Sequence, residues 1–189
     1  MVDGFLVMFL TLIMLLFILF FVCLIIIYNG IIKLRNNIDK SWANIGVLLK
    51  QRSNEIPNLV QAVKGYMTHE RKTLESLTKA RSVISEEQSF SRKAAVDSLI
   101  TDLLKTIFVV AEDYPELKAG ENFLKLQTRI TGLENELADR REFYNDGVTI
   151  YNTRIQSFPD LLIARLMHLT PIALFKAKDE DAHYIEVNF

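Results

Sequence analysis

Cysteine is nearly missing from this 189-residue chain, with a single residue at Cys23. No disulfide framework is available within one copy. Cys23 falls inside an apolar run, where it reads as a small side chain facing lipid; a bridge between two copies is the other reading. A basic excess is missing too: 22 Lys and Arg stand against 23 Asp and Glu. A nucleic-acid binder shows a basic surplus or stripe, so no nucleic-acid partner is expected. The same balance argues against a polybasic lipid clamp.

Glycine and proline are scarce, at seven and four residues. Gly65, Gly120, Gly132 and Gly147 are isolated within helical patterns, so no Gly-rich phosphate loop exists. His69-Glu70 would start a zinc helix, but Thr73 stands where the second histidine belongs. His168 and His183 have no carboxylate or thiol at ligand spacing. No serine or cysteine occupies a recognisable elbow, and Glu112-Asp113 before Tyr114-Pro115 reads as a helix cap. No catalytic, cofactor or metal site is expected, and the chain does not read as an enzyme.

What is present is a long apolar run. From Phe5 to Ile27 no side chain is charged. A helix of that length spans roughly 34 Å, enough for a hydrocarbon core of about 30 Å. Only a helix satisfies its own backbone in lipid, so residues 5–27 are expected to contact membrane lipid as an uncleaved anchor. A signal peptide would have a basic start, a shorter run and a cleavage site of small residues; Met-Val-Asp-Gly and Asn29-Gly30-Ile31 flank this one. Lys33, Arg35 and Lys40 follow the run, with no side-chain cation before it. Lys and Arg near span ends stay inside. The expected topology is single-pass, N-terminus outside, with the domain cytoplasmic. We divide the chain into an anchor (residues 1–28), a helical bundle (29–170) and a C-terminal tail (171–189).

Within the domain the periodicity is helical. Ile31, Leu34, Ile38, Trp42, Ile45 and Leu49 step by three and four. Pro57 interrupts, and Val63, Met67, Glu70, Leu74, Leu77, Arg81 and Ile84 form a second stripe. Ser85 to Ser91 reads as a polar turn. Val96, Leu99, Leu103, Ile107 and Val110 make a third stripe. Pro115 suits a helix start. The fourth stripe runs Phe123, Leu126, Ile130, Leu133, Leu137, Arg140, Tyr144, Val148, Tyr151, Ile155 and Phe158. It is a heptad seam with a doubled four between Arg140 and Val148. From Pro115 to Ser157 it would reach roughly 65 Å. The expected fold is all-α: a transmembrane helix followed by an elongated antiparallel up-and-down bundle of four long helices, or three if helices 1 and 2 are continuous across Pro57. With a turn at Pro57, the fourth helix returns to the bilayer and places Pro159–Leu169 at its surface. With a rod, that segment ends far from lipid. The tail, ending Tyr184-Ile185-Glu186-Val187-Asn188-Phe189, reads as a short strand or as disorder.

Polar residues near the seams are the interaction candidates. Tyr-Asn recurs at Tyr28-Asn29, Tyr144-Asn145 and Tyr151-Asn152. The last two pairs are seven apart, so each tyrosine faces the same way, and asparagine beside a seam can fix register. Glu70, Arg81 and Arg140 are expected to be buried and to pair across the bundle, since buried charges need partners. The alternatives are a wet seam edge and a small-ligand site.

These residues also carry a family pattern. The pieces are Tyr28-Asn29, Leu34-Arg35-Asn36, Trp42, Ile56-Pro57-Asn58-Leu59-Val60, Val63-Lys64-Gly65-Tyr66, His69-Glu70 and Ala80-Arg81. The second half adds Ala111 to Ala119, Glu121-Asn122-Phe123, Glu134-Asn135, Arg140-Arg141, Phe143-Tyr144-Asn145, Tyr151-Asn152 and Phe158-Pro159. In order and spacing the chain resembles the LemA family of bacterial membrane-anchored helical proteins, from residue 28 to about 166. It departs at Lys50-Gln51-Arg52, where the family tends to be more basic, and its tail agrees only through Phe175 and Val187-Asn188-Phe189. The resemblance implies an up-and-down bundle behind one span, with no catalytic residue or cofactor to carry over. The expected function is a scaffold or adaptor in a bacterial inner or plasma membrane, self-assembling as a homo-oligomer or holding other membrane proteins. The alternative is an accessory subunit of a membrane protease or transporter complex.

Overall fold

A computed structural model describes residues 2–67, 69–86 and 90–175. They form helices and no strand. In chain order these are α1 (Val2–Val63), α2 (Arg71–Glu86), α3 (Phe90–Val110), a 3-10 turn (Ala111–Asp113), α4 (Pro115–Lys118), α5 (Glu121–Gln156) and α6 (Asp160–Leu166). The described residues divide into two compact units. One comprises residues 2–40 with Asn145–Leu174; the other comprises Ser41–Tyr144 with Phe175.

The second unit is a four-helix bundle. The α1 ladder continues past Leu49 through Ile56, Leu59 and Val63, all buried, with Pro57 inside the helix. The break expected at Pro57 therefore lies elsewhere, after Val63. There Tyr66 and Met67 donate their backbone N–H groups back to Val63 at 3.0 and 2.9 Å. The chain reverses and α2 runs back along α1, with Arg81 reaching Ser53. Helix α3 turns again, and α5 returns antiparallel to both α1 and α3: Arg129 pairs with Glu55, and Thr101 with Glu134. The up-and-down order stands; only its first turn is displaced.

A proline in mid-helix removes one backbone donor and crowds the carbonyl four residues earlier. For Pro57 that carbonyl is Ser53, and the Arg81 Nε–H supplies the missing bond at 2.9 Å. The helix survives because a neighbouring helix satisfies the group that proline orphans.

The fourth helix is not unbroken from Pro115. Helix α4 ends at Lys118, and Gly120 donates its N–H to Leu117 O at 3.0 Å before α5 begins. A Cβ at Gly120 would itself lie 3.0 Å from Leu117 O, so the tight turn favours glycine. The expectations for the turn at 85–91 and for the tail fall partly or wholly outside the described residues.

In the first unit α5 again runs antiparallel to α1. A Cβ at Gly147 would meet the Ile38 side chain at 3.5 Å, and one at Gly30 would meet the Arg154 guanidinium at 2.7 Å. Glycine at position 30 leaves room for that guanidinium. Helix α6 closes with the His168 N–H on Arg165 O at 3.1 Å and the Leu169 N–H on Ala164 O at 2.9 Å. This is the Schellman arrangement, with His168 left-handed at φ 51° where glycine is usual.

Among the described residues α1 is the one helix long and apolar enough to cross a membrane. Its most apolar 18-residue window has mean hydropathy 3.4, and 6% of that window is buried. A core helix of a water-soluble domain would be covered instead.

Candidate functional site

The α1 ladder places Arg52 one step beyond Leu49, on the buried seam. Helix α3 places Asp97 between buried Ala94 and Ile100, and α5 places Glu134 beside Leu133 and Arg141 beyond Leu137. Helix periodicity thus delivers two cations and two anions to one level of the bundle. Arg52 and Asp97 are 1% and 0% exposed; Glu134 and Arg141 are 21% and 20%.

The pairing is saturated on the acid side. Asp97 Oδ1 accepts from Arg52 Nη2 and Oδ2 from Arg141 Nη2. Glu134 Oε1 accepts from Arg52 Nη1, and Oε2 from the Thr101 hydroxyl at 2.9 Å. Arg52 Nη1 also donates to Thr101 Oγ1 at 3.0 Å. Burial pushes the Asp97 carboxyl above the usual carboxylate range; the guanidiniums of Arg52 and Arg141 pull against that rise, and Glu134 adds to it. Every carboxylate oxygen is held by a protein donor, so the cluster ties α1, α3 and α5 in register. Removing one partner would leave an uncompensated buried charge.

Beside it lies an aromatic group. The Trp42 ring is 6.0 Å from Tyr144 and 6.2 Å from Phe175, centroid to centroid. The Arg141 guanidinium lies over Phe175 at 5.1 Å, within cation–π range. Arg141 thus links the ionic cluster to the aromatic one. At the far end of α2, the Tyr114 hydroxyl donates to Glu70 at 3.3 Å. Burial and the Glu70 charge raise the Tyr114 pKa.

In the first unit, Asn152 meets the backbone of Ile172 on both sides. Its Nδ2 donates to Ile172 O at 2.8 Å, and its Oδ1 accepts from Ile172 N–H at 2.9 Å. Buried Tyr151 has a raised pKa because desolvation outweighs the charge of Arg35. Arg154 pairs with buried Asp160.

The interaction candidates do not converge on one place. Tyr144 and Tyr151 are buried, while Trp42, Glu70, Arg81, Asn145 and Asn152 are half-buried. Tyr28, Asn29, Arg35 and Asn58 are exposed, the last within 3.5 Å of Glu55 Oε2. Arg140 corrects the expected burial: it is 48% exposed and pairs with Glu136 one turn back. The seam step belongs to Arg141, so the doubled four falls between Leu133 and Arg141. The third stripe shifts likewise, with Leu99 exposed and Asp97, Ile100 and Leu104 inside. An open groove of about 870 Å³ between the end of α1 and α2 is lined by Met67, Leu74 and Arg81, but not by Glu70, Arg140 or Tyr144. No group of three or more metal-ligating side chains occurs among the described residues.

An all-α bundle, continuous through α1 with a helix of membrane-crossing length and composition, is the class these features define. A model of the LemA family matches residues 41–189. The chain belongs to the LemA family. It is 27% identical over 172 residues to Protein LemA of Metamycoplasma hominis, covering 86% of this chain and 78% of that protein. It is 18% identical over 185 residues to magnetosome protein MamQ of Magnetospirillum gryphiswaldense, covering 84% and 68%. Against magnetosome protein MamQ 2 of Paramagnetospirillum magneticum the identity is 20% over 166 residues, covering 74% and 61%. None of these names is that of an enzyme, and the apolar helix fits a membrane-anchored protein.

Proposed function

We propose that this protein is a non-catalytic scaffold or adaptor that stands on a bacterial membrane and assembles with copies of itself. The observation that carries this reading is α1, which holds both the bare apolar run and one of the four bundle helices without a break. An anchor of this kind keeps the domain at a membrane surface. The ionic cluster supports the same reading, since its carboxylate oxygens are committed to holding helices together. Exposed apolar side chains at Val47, Leu99, Val109 and Phe143 remain for a partner.

The domain lies on the cytoplasmic side in this reading, because exposed Lys33, Arg35 and Lys40 follow the span. Crosslinking in intact membranes tests the function. Recovery of crosslinked copies of this chain supports a self-assembling scaffold. Recovery of one chain bound only to a protease or transporter supports the accessory-subunit reading instead.

A further inference from the structure

Helix α6 is covered on one side and bare on the other. Asp160, Ile163 and Ala164 are buried, whereas Phe158, Leu162 and Leu166 are 80%, 60% and 81% exposed. Leu162 and Leu166 are four residues apart in α6, so they share one face, and Phe158 is bare in the turn just before it. Arg165 and His168 are exposed beside them.

The rest of the first unit fixes the height of this face. Arg154 sits against Gly30, three residues after the last apolar residue of the run, and Asp160 pairs with Arg154. The start of α6 is thereby tied to the level of Gly30. Helix α5 runs antiparallel to α1 here and ends at Gln156, so the chain leaves it on the apolar-run side of the Gly30 level. After α6 the chain climbs away again, because Ile172 is held by Asn152. Ile27, still in the apolar run, is only 7% exposed, while Ile25 and Ile26 are 58% and 63% exposed. The unit therefore covers one side of the apolar run at its last turn, next to the level at which α6 starts.

We propose that α6 is a second membrane contact: Phe158, Leu162 and Leu166 enter the leaflet from which α1 emerges, with Arg165 and His168 among its headgroups. An amphipathic helix at the hydrocarbon boundary lies in the membrane plane with its apolar face inward. Two attachments, one spanning and one interfacial, would restrict rotation of the first unit relative to the bilayer. The inference rests on the membrane anchorage in the proposed function, not on self-assembly.

The test uses the full chain with Cys23→Ala, reconstituted in vesicles of phosphatidylcholine and phosphatidylglycerol. Single nitroxide labels are placed through Leu162→Cys, Leu166→Cys, Leu16→Cys and Asp146→Cys. All four positions are exposed, so the labels leave the packing in place, and circular dichroism checks each melt. Power saturation compares oxygen, which concentrates in lipid, with a water-soluble nickel chelate. The expected result is a several-fold higher oxygen-to-nickel ratio at positions 162 and 166 than at 146. Ratios equal to that at 146 would overturn the proposal, and so would shielding from both quenchers, which marks a protein contact. A water-like ratio at 16 would overturn the anchorage itself.

Discussion

Arg81 donates its Nε–H to the carbonyl oxygen of Ser53 at 2.9 Å, the acceptor that Pro57 deprives of its helical donor. A proline at the strongest apparent break in the domain is thus absorbed into a helix of 62 residues. The contact also explains why a cation sits on the otherwise apolar stripe of α2.

Arg81→Ala should destabilise the protein by about 1–3 kcal/mol, the cost of leaving a buried carbonyl unsatisfied. The same change in a Pro57→Ala background should cost less, because the alanine N–H then reaches Ser53 O. Guanidinium unfolding followed by Trp42 fluorescence measures all four chains of this cycle. Additive effects would show that Arg81 does not stand in for the proline donor.

Arg52→Met should cost about 3–5 kcal/mol at neutral pH, since it strands the Asp97 charge. The pH dependence carries a sign. Burial already holds the Asp97 pKa above its ordinary value, so the folded chain binds that proton more tightly than the unfolded chain. Its contribution is complete below the ordinary carboxylate value and is lost as pH rises through the raised one. Removing Arg52, the strongest opposing charge, raises the folded pKa further. The deficit of Arg52→Met relative to the unmodified chain should therefore shrink as pH falls from 7 towards about 5. A deficit independent of pH would contradict this. Arg140→Ala, by contrast, should change stability by less than about 0.5 kcal/mol.

Asn152→Leu should release the backbone around Ile172, and Asn152→Asp should do so by less, because an aspartate still accepts from the Ile172 N–H. Hydrogen exchange at Ile172 reads this directly. A loss of about 1 kcal/mol corresponds to roughly fivefold faster exchange. Equal protection in all three chains would mean that other contacts hold the segment.

His168→Gly should stabilise the end of α6 by about 1 kcal/mol, because glycine carries no penalty in the left-handed region. Slower exchange at the Leu169 amide, bonded to Ala164, is the expected result. Faster exchange would indicate that the imidazole contributes more than its backbone strain costs.

Much of the bundle was legible from three-and-four spacing, because apolar ladders report directly which helix face is buried. The α1, α2 and α5 stripes face inward as expected, with Leu34, Trp42, Glu70, Arg81 and Leu126 half-buried at their edges and Arg140 and Phe158 outside. What stayed hidden was hidden by charge. On α3 the true ladder is Ala94, Asp97, Ile100, Leu104, Ile107, and a reader who seeks apolar residues steps round the aspartate onto Val96 and Leu99. On α1 the ladder from Leu49 through Arg52 to Ile56 crosses Pro57 without losing phase. That phase was the available signal that the helix continues. The compensation by Arg81 comes from another helix, and no local pattern encodes it. Arg140 and Arg141 are adjacent, and the choice between them depends on where the seam takes its doubled step, which packing decides.

The central claim, a self-assembling membrane scaffold, meets its most direct test in a mass measurement. The full chain is extracted from membranes into polymer-bounded lipid discs, and the protein mass per disc is determined by light scattering with lipid contrast corrected. The account predicts a multiple of the 21.8 kDa chain mass, retained on dilution. A single 21.8 kDa chain per disc at every concentration would contradict it.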